Sequence, residues 1–225
     1  ILVTPLVTIF SGVGLSMLIA APIGAAASQV GTLIMWATEQ APLVMGILVS
    51  VIVGVALTLP ISSAAICAAL GLTGLAGGAA VAGCCAQMIG FAVMSYKENG
   101  VGGLVSQGLG TSMLQMGNIV KNPRIWIAPT LASAITGPLA TCLFHFEMNG
   151  AAVSSGMGTC GLVGQIGVYT GWVSDIAAGV KTAITPMDWA AMVLLCFVLP
   201  AVLSVIFCEI ERKMGWIKEG DLKLN

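Results

Sequence analysis

Residues Gln40–Tyr96 read QAPLVMGILVSVIVGVALTLPISSAAICAALGLTGLAGGAAVAGCCAQMIGFAVMSY, a run of 57 without one Asp, Glu, Lys or Arg. A helix rises about 1.5 Å per residue, so about 20 apolar residues cross a hydrocarbon core about 30 Å thick. The run therefore holds two crossings, near Leu43–Pro60 and Thr73–Ser95. Between them Pro60–Thr73 (PISSAAICAALGLT) is too short for a third. It reads as a half-helix, broken before a glycine-rich span.

The rest of the chain follows the same rule. Further uncharged runs extend over Ile1–Thr38, Asn99–Val120, Ile125–Phe146, Met148–Ser174 and Trp189–Cys208. Among 225 residues there are 8 Lys and Arg, 9 Asp and Glu and a single His, so 8% are charged while 58% are hydrophobic. A soluble domain carries about a quarter charged residues. The scarcity excludes an ordinary cytosolic enzyme and a disordered chain, and a net charge of −1 excludes a nucleic-acid binder. Aromatics make up 6%, and no period-2 alternation occurs, which argues against a β-barrel. The expected class is an all-α polytopic membrane protein.

Five spans are expected: about Leu2–Ala20, Leu43–Pro60, Thr73–Ser95, Ile125–Phe144 and Met187–Cys208. Residues 1–209 form the membrane domain and residues 210–225 a tail. Ile1 begins mid-pattern, without a basic leader, as expected of a piece of a longer protein with further N-terminal spans. Lys97, Lys121 and Arg124 flank one connection, and Arg212, Lys213, Lys218 and Lys223 fill the tail. The positive-inside rule makes both cytoplasmic, with the fourth and fifth spans an out-and-back pair.

Three segments do not fit simple spans. In Val101–Val120, residues Val101, Leu104, Val105, Leu109, Met113, Met116 and Val120 recur at helical spacing. Ser106, Gln107, Gly110, Ser112 and Gln115 lie elsewhere, which predicts an amphipathic helix on the membrane surface or under the bundle. Ser28–Gln40 reads as a shorter relative. Asn149–Trp172 (NGAAVSSGMGTCGLVGQIGVYTGW) is glycine-rich, too apolar for a solvated loop and too broken for a lipid-facing helix. A re-entrant hairpin packed on other helices satisfies its amides. Together with Pro60–Thr73 it makes two interrupted hydrophobic segments, the pointer to a transporter's central site. Gly74, Gly77, Gly78 and Gly83 give the third span a small-residue packing surface. The seven cysteines lack any CxxC pairing and read as small packing residues.

The stretch QMIGFAVMSYKENGVGGLVSQGLGTSMLQMGNIVKNPRIWIAPTLASAITGPLAT (Gln87–Thr141) closely resembles the PTS_EIIC_2 family, and GMGTCGLVGQIG (Gly156–Gly167) resembles its second signature. These are membrane IIC-like proteins related to the PfoR regulator and to sugar permeases of the phosphotransferase system. The resemblance implies a bacterial inner-membrane protein, a homodimer, and either a sugar-transport component or a membrane regulator. A complete permease also needs a IIB partner carrying phosphate. The chain has no such soluble domain, so separate IIA and IIB subunits would supply it, or this member phosphorylates nothing.

An acid within a membrane segment is costly, about +2.5 to +3.5 kcal/mol for a central charge on insertion scales, and such residues face a cavity or a partner. Glu147 is the leading case, following the fourth span in the string Phe144-His145-Phe146-Glu147-Met148-Asn149. In sugar IIC proteins an acid and a histidine near the re-entrant region bind sugar hydroxyls. That makes Glu147 the expected substrate-binding residue, with His145, Asn149 and Gln165 as secondary contacts. The alternative is an interfacial cluster at the end of a span, solvated and idle. No Arg or Lys lies inside a span, which favours a neutral solute over an anion. No nucleophile–base set, phosphate loop, metal cluster or cofactor motif is present, so no catalytic residue and no cofactor are expected. Three functions remain: a IIC-type permease for a sugar, a sensor of the PfoR type signalling through the amphipathic segment and tail, or a channel, since fold does not fix function.

Overall fold

The computed structural model describes residues 3–224, and the described residues are mainly helical, with no strand. Ile1, Leu2 and Asn225 lie outside them, so the edges of the expected first span and tail do too. A first helix α1 (Val3–Gln40) is followed by α2 (Pro42–Thr58), the short α3 (Ser63–Leu70) and α4 (Gly74–Met94). Among the described residues, three helical stretches are long and apolar enough to cross a membrane: Gly74–Met94, Pro123–Leu143 and Pro186–Lys213. They fall on the expected third, fourth and fifth spans, and the 17-residue α2 falls on the second, whereas α1, with 38 residues, runs far past the expected Leu2–Ala20.

Glycine decides how these helices meet. Helices α2, α4 and α7 (Ile127–Pro138) form the centre, and α4 is buried along almost its whole length. A Cβ added at Gly83 would collide with the Ser50 backbone of α2, and one at Gly137 with Gly46 and Ser50. In lipid such close backbone approach replaces the hydrophobic drive that holds soluble helices together. Polar groups are satisfied between the helices. Ser50 Oγ donates to the Ser133 carbonyl at 2.8 Å. Gln87 Nε2 donates to Thr130 Oγ1 at 3.2 Å, while its Oε1 accepts from Trp126 Nε1 at 3.0 Å and from Thr58 Oγ1 at 3.3 Å.

Local chemistry sets the breaks. Helix α2 stops at Thr58, ahead of Pro60, which disfavours helical backbone in the residue before it. Ser62 caps α3 by accepting from the Ala65 amide at 3.2 Å, and Gly71 ends it in the left-handed region at φ +62°. The glycine-rich segment folds as expected into a hairpin: a tight 3-10 arm Ala152–Gly156, a second short turn Cys160–Leu162, and α8 (Val163–Ala177). It packs on the half-helix. Ser63 Oγ donates to the Gly156 carbonyl at 2.7 Å and Ser155 Oγ to the Leu72 carbonyl at 2.6 Å. Gly74 and Met148 exchange both amide bonds at 3.0 Å. The two interrupted segments are thus one structural unit.

Two expectations need correction. Ser28–Gln40 is no separate amphipathic helix but the C-terminal part of α1. Val101–Val120 is not one helix either. It is split among α5 (Tyr96–Val105), a π-helical turn Ser106–Gly110, a 3-10 turn Ser112–Gln115 and α6 (Met116–Lys121). Its polar side also faces inward: Gln107, Ser112 and Gln115 are fully buried, while Val101, Val105, Leu109, Met113 and Val120 are exposed. The amides form a chain, with Gln107 donating to Ser95 Oγ at 2.8 Å and Gln115 to Gln107 Oε1 at 2.9 Å. Asn118 in turn donates to Gln115 Oε1 at 2.8 Å.

The last two helices are α9 (Pro186–Val193) and α10 (Leu199–Lys213), joined by the π-helical turn Leu194–Val198. Thr185 and Asp188 form a reciprocal capping box on α9 with Pro186 in its first turn. Beyond α10 the tail folds back on α5 and α6. Glu98 accepts from Arg212 Nη2 at 3.0 Å and from the Leu222 amide at 2.9 Å, so it is no solvated loop residue. Asn122 donates to Asp221 Oδ2 at 2.9 Å, and the Arg124 guanidinium lies 5.6 Å from the Trp216 ring centre. Both basic clusters read from the sequence therefore sit at one end of the bundle.

Candidate functional site

At the other end the fourth span dissolves into the hairpin. Its last turn, Leu139–Leu143, is π-helical, and His145 follows with φ +44°. A bulky residue at positive φ is uncommon and marks a backbone held there by its surroundings. From this corner the chain runs extended, so alternate side chains point opposite ways. Phe146 and Met148 are buried in the core while His145 and Glu147 are exposed. The anchored neighbours therefore force the Glu147 carboxylate outward.

It projects into a cavity of about 290 Å³ lined by Phe144, His145, Phe146, Glu147, Trp172, Asp175, Val180, Lys181, Met187, Asp188 and Ala191. One nitrogen links two of its acids. Asn149 Nδ2 donates to Glu147 Oε2 at 3.1 Å and to Asp175 Oδ2 at 2.9 Å, which uses both hydrogens of the amide. Across the cavity Lys181 Nζ lies 2.7 Å from Asp188 Oδ1 and 5.3 Å from the Trp172 ring centre. Trp172 meets Trp189 edge to face at 5.6 Å, which braces that wall. The Lys181–Asp188 pair closes a loop that begins where the Val180 and Lys181 amides donate to the Asp175 carbonyl at 2.8 and 3.1 Å.

Of the four residues expected from the sequence, the structure brings three together: His145 and Glu147 line the cavity, and Asn149 braces Glu147. Gln165 is elsewhere, buried in the bundle with Nε2 on Cys85 Sγ at 3.3 Å and Oε1 without a partner among the described residues. Sequence reasoning passed over Asp175, Lys181 and Asp188. One signal was available for Asp175, which is the first charge after the uncharged run Met148–Ser174 and lies one helical turn beyond Trp172. Trp172 itself is a buried wall of the cavity.

A larger cleft of about 540 Å³ lies between α1, α2 and α3. Ser63 is the one hydroxyl among otherwise apolar lining residues, so it offers no set of groups that could orient a polar solute. The smaller cavity combines aromatic walls with carboxylates, an amine and an imidazole, the mixture that fixes a small polar ligand. No group of His, Cys, Asp and Glu among the described residues is arranged to hold a metal.

Long apolar helices, a half-helix meeting a glycine-rich hairpin, and a polar cavity at the hairpin's base define a helical protein with membrane-spanning segments. The chain belongs to the family described as Phosphotransferase system, EIIC, whose model matches residues 1–224. No curated protein and no solved structure matches it.

Proposed function

We propose that the chain is the permease component of a phosphotransferase-type system, binding a small sugar-like solute in the cavity beside Glu147 and carrying it across a bacterial inner membrane. Family membership supports the transport role. The observation that carries the site is the Asn149 bridge, which holds the Glu147 and Asp175 carboxylates at the edge of one cavity with a free oxygen on each to accept a hydroxyl. The hairpin would move with its bound solute against a scaffold of α2, α4 and α7, which small residues pack too tightly to deform. Residues 1–209 would form the membrane domain and residues 210–225 a cytoplasmic tail, because the two basic clusters share one end. Separate IIA and IIB subunits would supply phosphate from that side, and two copies would pair through the scaffold.

Uptake and equilibrium binding of radiolabelled hexoses by the full-length protein in vesicles test this, with Glu147→Gln alongside. Loss of binding in the variant is expected. If no hexose binds, or the substitution changes nothing, the site is wrong.

One observation favours a second reading, a membrane sensor. The tail is clasped to the α5–α6 segment through Glu98, Asn99, Gln115, Asn118 and Asn122, a contact through which a change in the bundle could be read at the surface. Deleting residues 210–225 would then abolish a signalling output while sparing solute binding. An unchanged output rules the sensor out.

A further inference from the structure

The permease reading leaves open what distinguishes an accepted solute from a rejected one, and the charges around the cavity bear on this. Its walls carry three carboxylates, Glu147, Asp175 and Asp188, against one lysine. The lysine is already committed, since Lys181 lies 2.7 Å from Asp188 and against the face of Trp172. That pair cancels and leaves no cation to greet an anionic ligand. Glu147 and Asp175 remain. Their only shared hydrogen-bond partner among the described residues is the neutral Asn149 amide, which orders the two carboxylates but does not neutralise them. His145 at the rim is the one further group that could carry positive charge.

We propose that Asp175 is a specificity-determining residue, and that with Glu147 it makes the cavity reject anionic sugars and prefer a sugar bearing an amine. This inference rests on the cavity being the solute site. Two unit charges a few ångströms apart at a partly hydrated surface interact enough to change binding several-fold. An ammonium group gains that attraction from each acid, while a sugar phosphate or sugar acid meets the same energy as repulsion. A neutral hexose is indifferent to it and keeps only the hydroxyl contacts. Asp175 is better placed than Glu147 to act this way alone. It is half-buried on the rigid α8, and the strap to Lys181 is hung from its own carbonyl.

The test uses the full-length protein in lipid vesicles and three probes sharing one ring: glucose, glucosamine and glucose 6-phosphate, then the same series for galactose and mannose. The expected order in wild type is amine over neutral over phosphate. Asp175→Asn keeps an oxygen for the Asn149 amide, so it preserves the bridge while removing the charge. It is expected to lower the amine-to-neutral affinity ratio about fivefold and to narrow the penalty on phosphate. Lys181→Gln removes the compensating cation and is expected to raise the same ratio. Opposite shifts from two variants exclude simple misfolding as their cause. Neutral sugars binding with a ratio that neither variant moves would overturn this inference and leave the permease reading standing. If no sugar of any charge binds, both fall together.

Discussion

Gly78 of α4 lies so close beneath the carbonyl of Phe146 that an added Cβ would fall on the oxygen. This contact seats the entry to the hairpin, and with it Glu147, on the most buried helix of the bundle. Gly78→Ala should therefore destabilise the protein by about 2–3 kcal/mol, the scale of an overpacked core, and weaken solute binding with it. Gly117 is a control within α6, where a Cβ meets nothing within 4 Å. Gly117→Ala is expected to stabilise by up to about 1 kcal/mol, by restricting the unfolded chain. Thermal unfolding in detergent measures both, and equal behaviour of the two would contradict the packing argument.

His145 holds a positive φ that its side chain does not favour. His145→Gly should leave stability unchanged or raise it by about 1 kcal/mol, since glycine adopts that backbone without strain. His145→Val should lower it. Binding separates the imidazole's role from the backbone's: a stable His145→Gly that no longer binds solute shows that the ring itself touches the ligand.

The tail clasp concentrates on Glu98, whose side chain is about 10% exposed and whose partner Arg212 is about 16% exposed. Glu98→Ala removes acceptors for Arg212 and for the Gly220 and Leu222 amides, so hydrogen exchange at those amides should rise sharply. Each bond to a charged acceptor is worth about 1.5–3 kcal/mol. The neighbouring pair of Lys97 and Glu209 is open to solvent, with side chains 71% and 45% exposed. Glu209→Gln should leave the unfolding midpoint unmoved. Exchange that stays slow in Glu98→Ala would show that the tail is held elsewhere.

Glu211 is the one acid buried without help: it is 3% exposed, and neither carboxylate oxygen has a hydrogen-bond partner among the described residues. A buried polar group left unpaired costs about 1–3 kcal/mol, which an apolar side chain of similar shape recovers. Glu211→Met should raise the unfolding midpoint. A fall would mean that the carboxyl has a partner in the assembled protein.

How far the fold was legible depended on what each residue type reports. The spans were legible because charge is excluded from a hydrocarbon core whatever packs there. Pro60, Gly71 and the glycines of Asn149–Trp172 likewise marked breaks, because their backbones carry the signal themselves. The orientation of Val101–Val120 was not legible. In a soluble protein an apolar stripe points inward, but against lipid both sides of a bundle are apolar environments. Periodicity could thus find the stripe without saying which way it faces. Gln107, Ser112 and Gln115 went inward because the Ser95 hydroxyl, the Thr58 hydroxyl and the Leu222 carbonyl of the tail lay there to satisfy them.

For the candidate site, the division is sharper. The sequence alone determined that this is a helical membrane protein, and that Glu147 is an acid beside a broken segment. Only the tertiary structure decided that Asn149 joins Glu147 to Asp175, that Lys181 is spent on Asp188, and that Gln165 turns to Cys85 instead. The physical reason is that a cavity is made by what the chain brings together from separate helices. Hydrogen-bond geometry, a matter of about 3 Å, depends on packing that no spacing along one segment encodes.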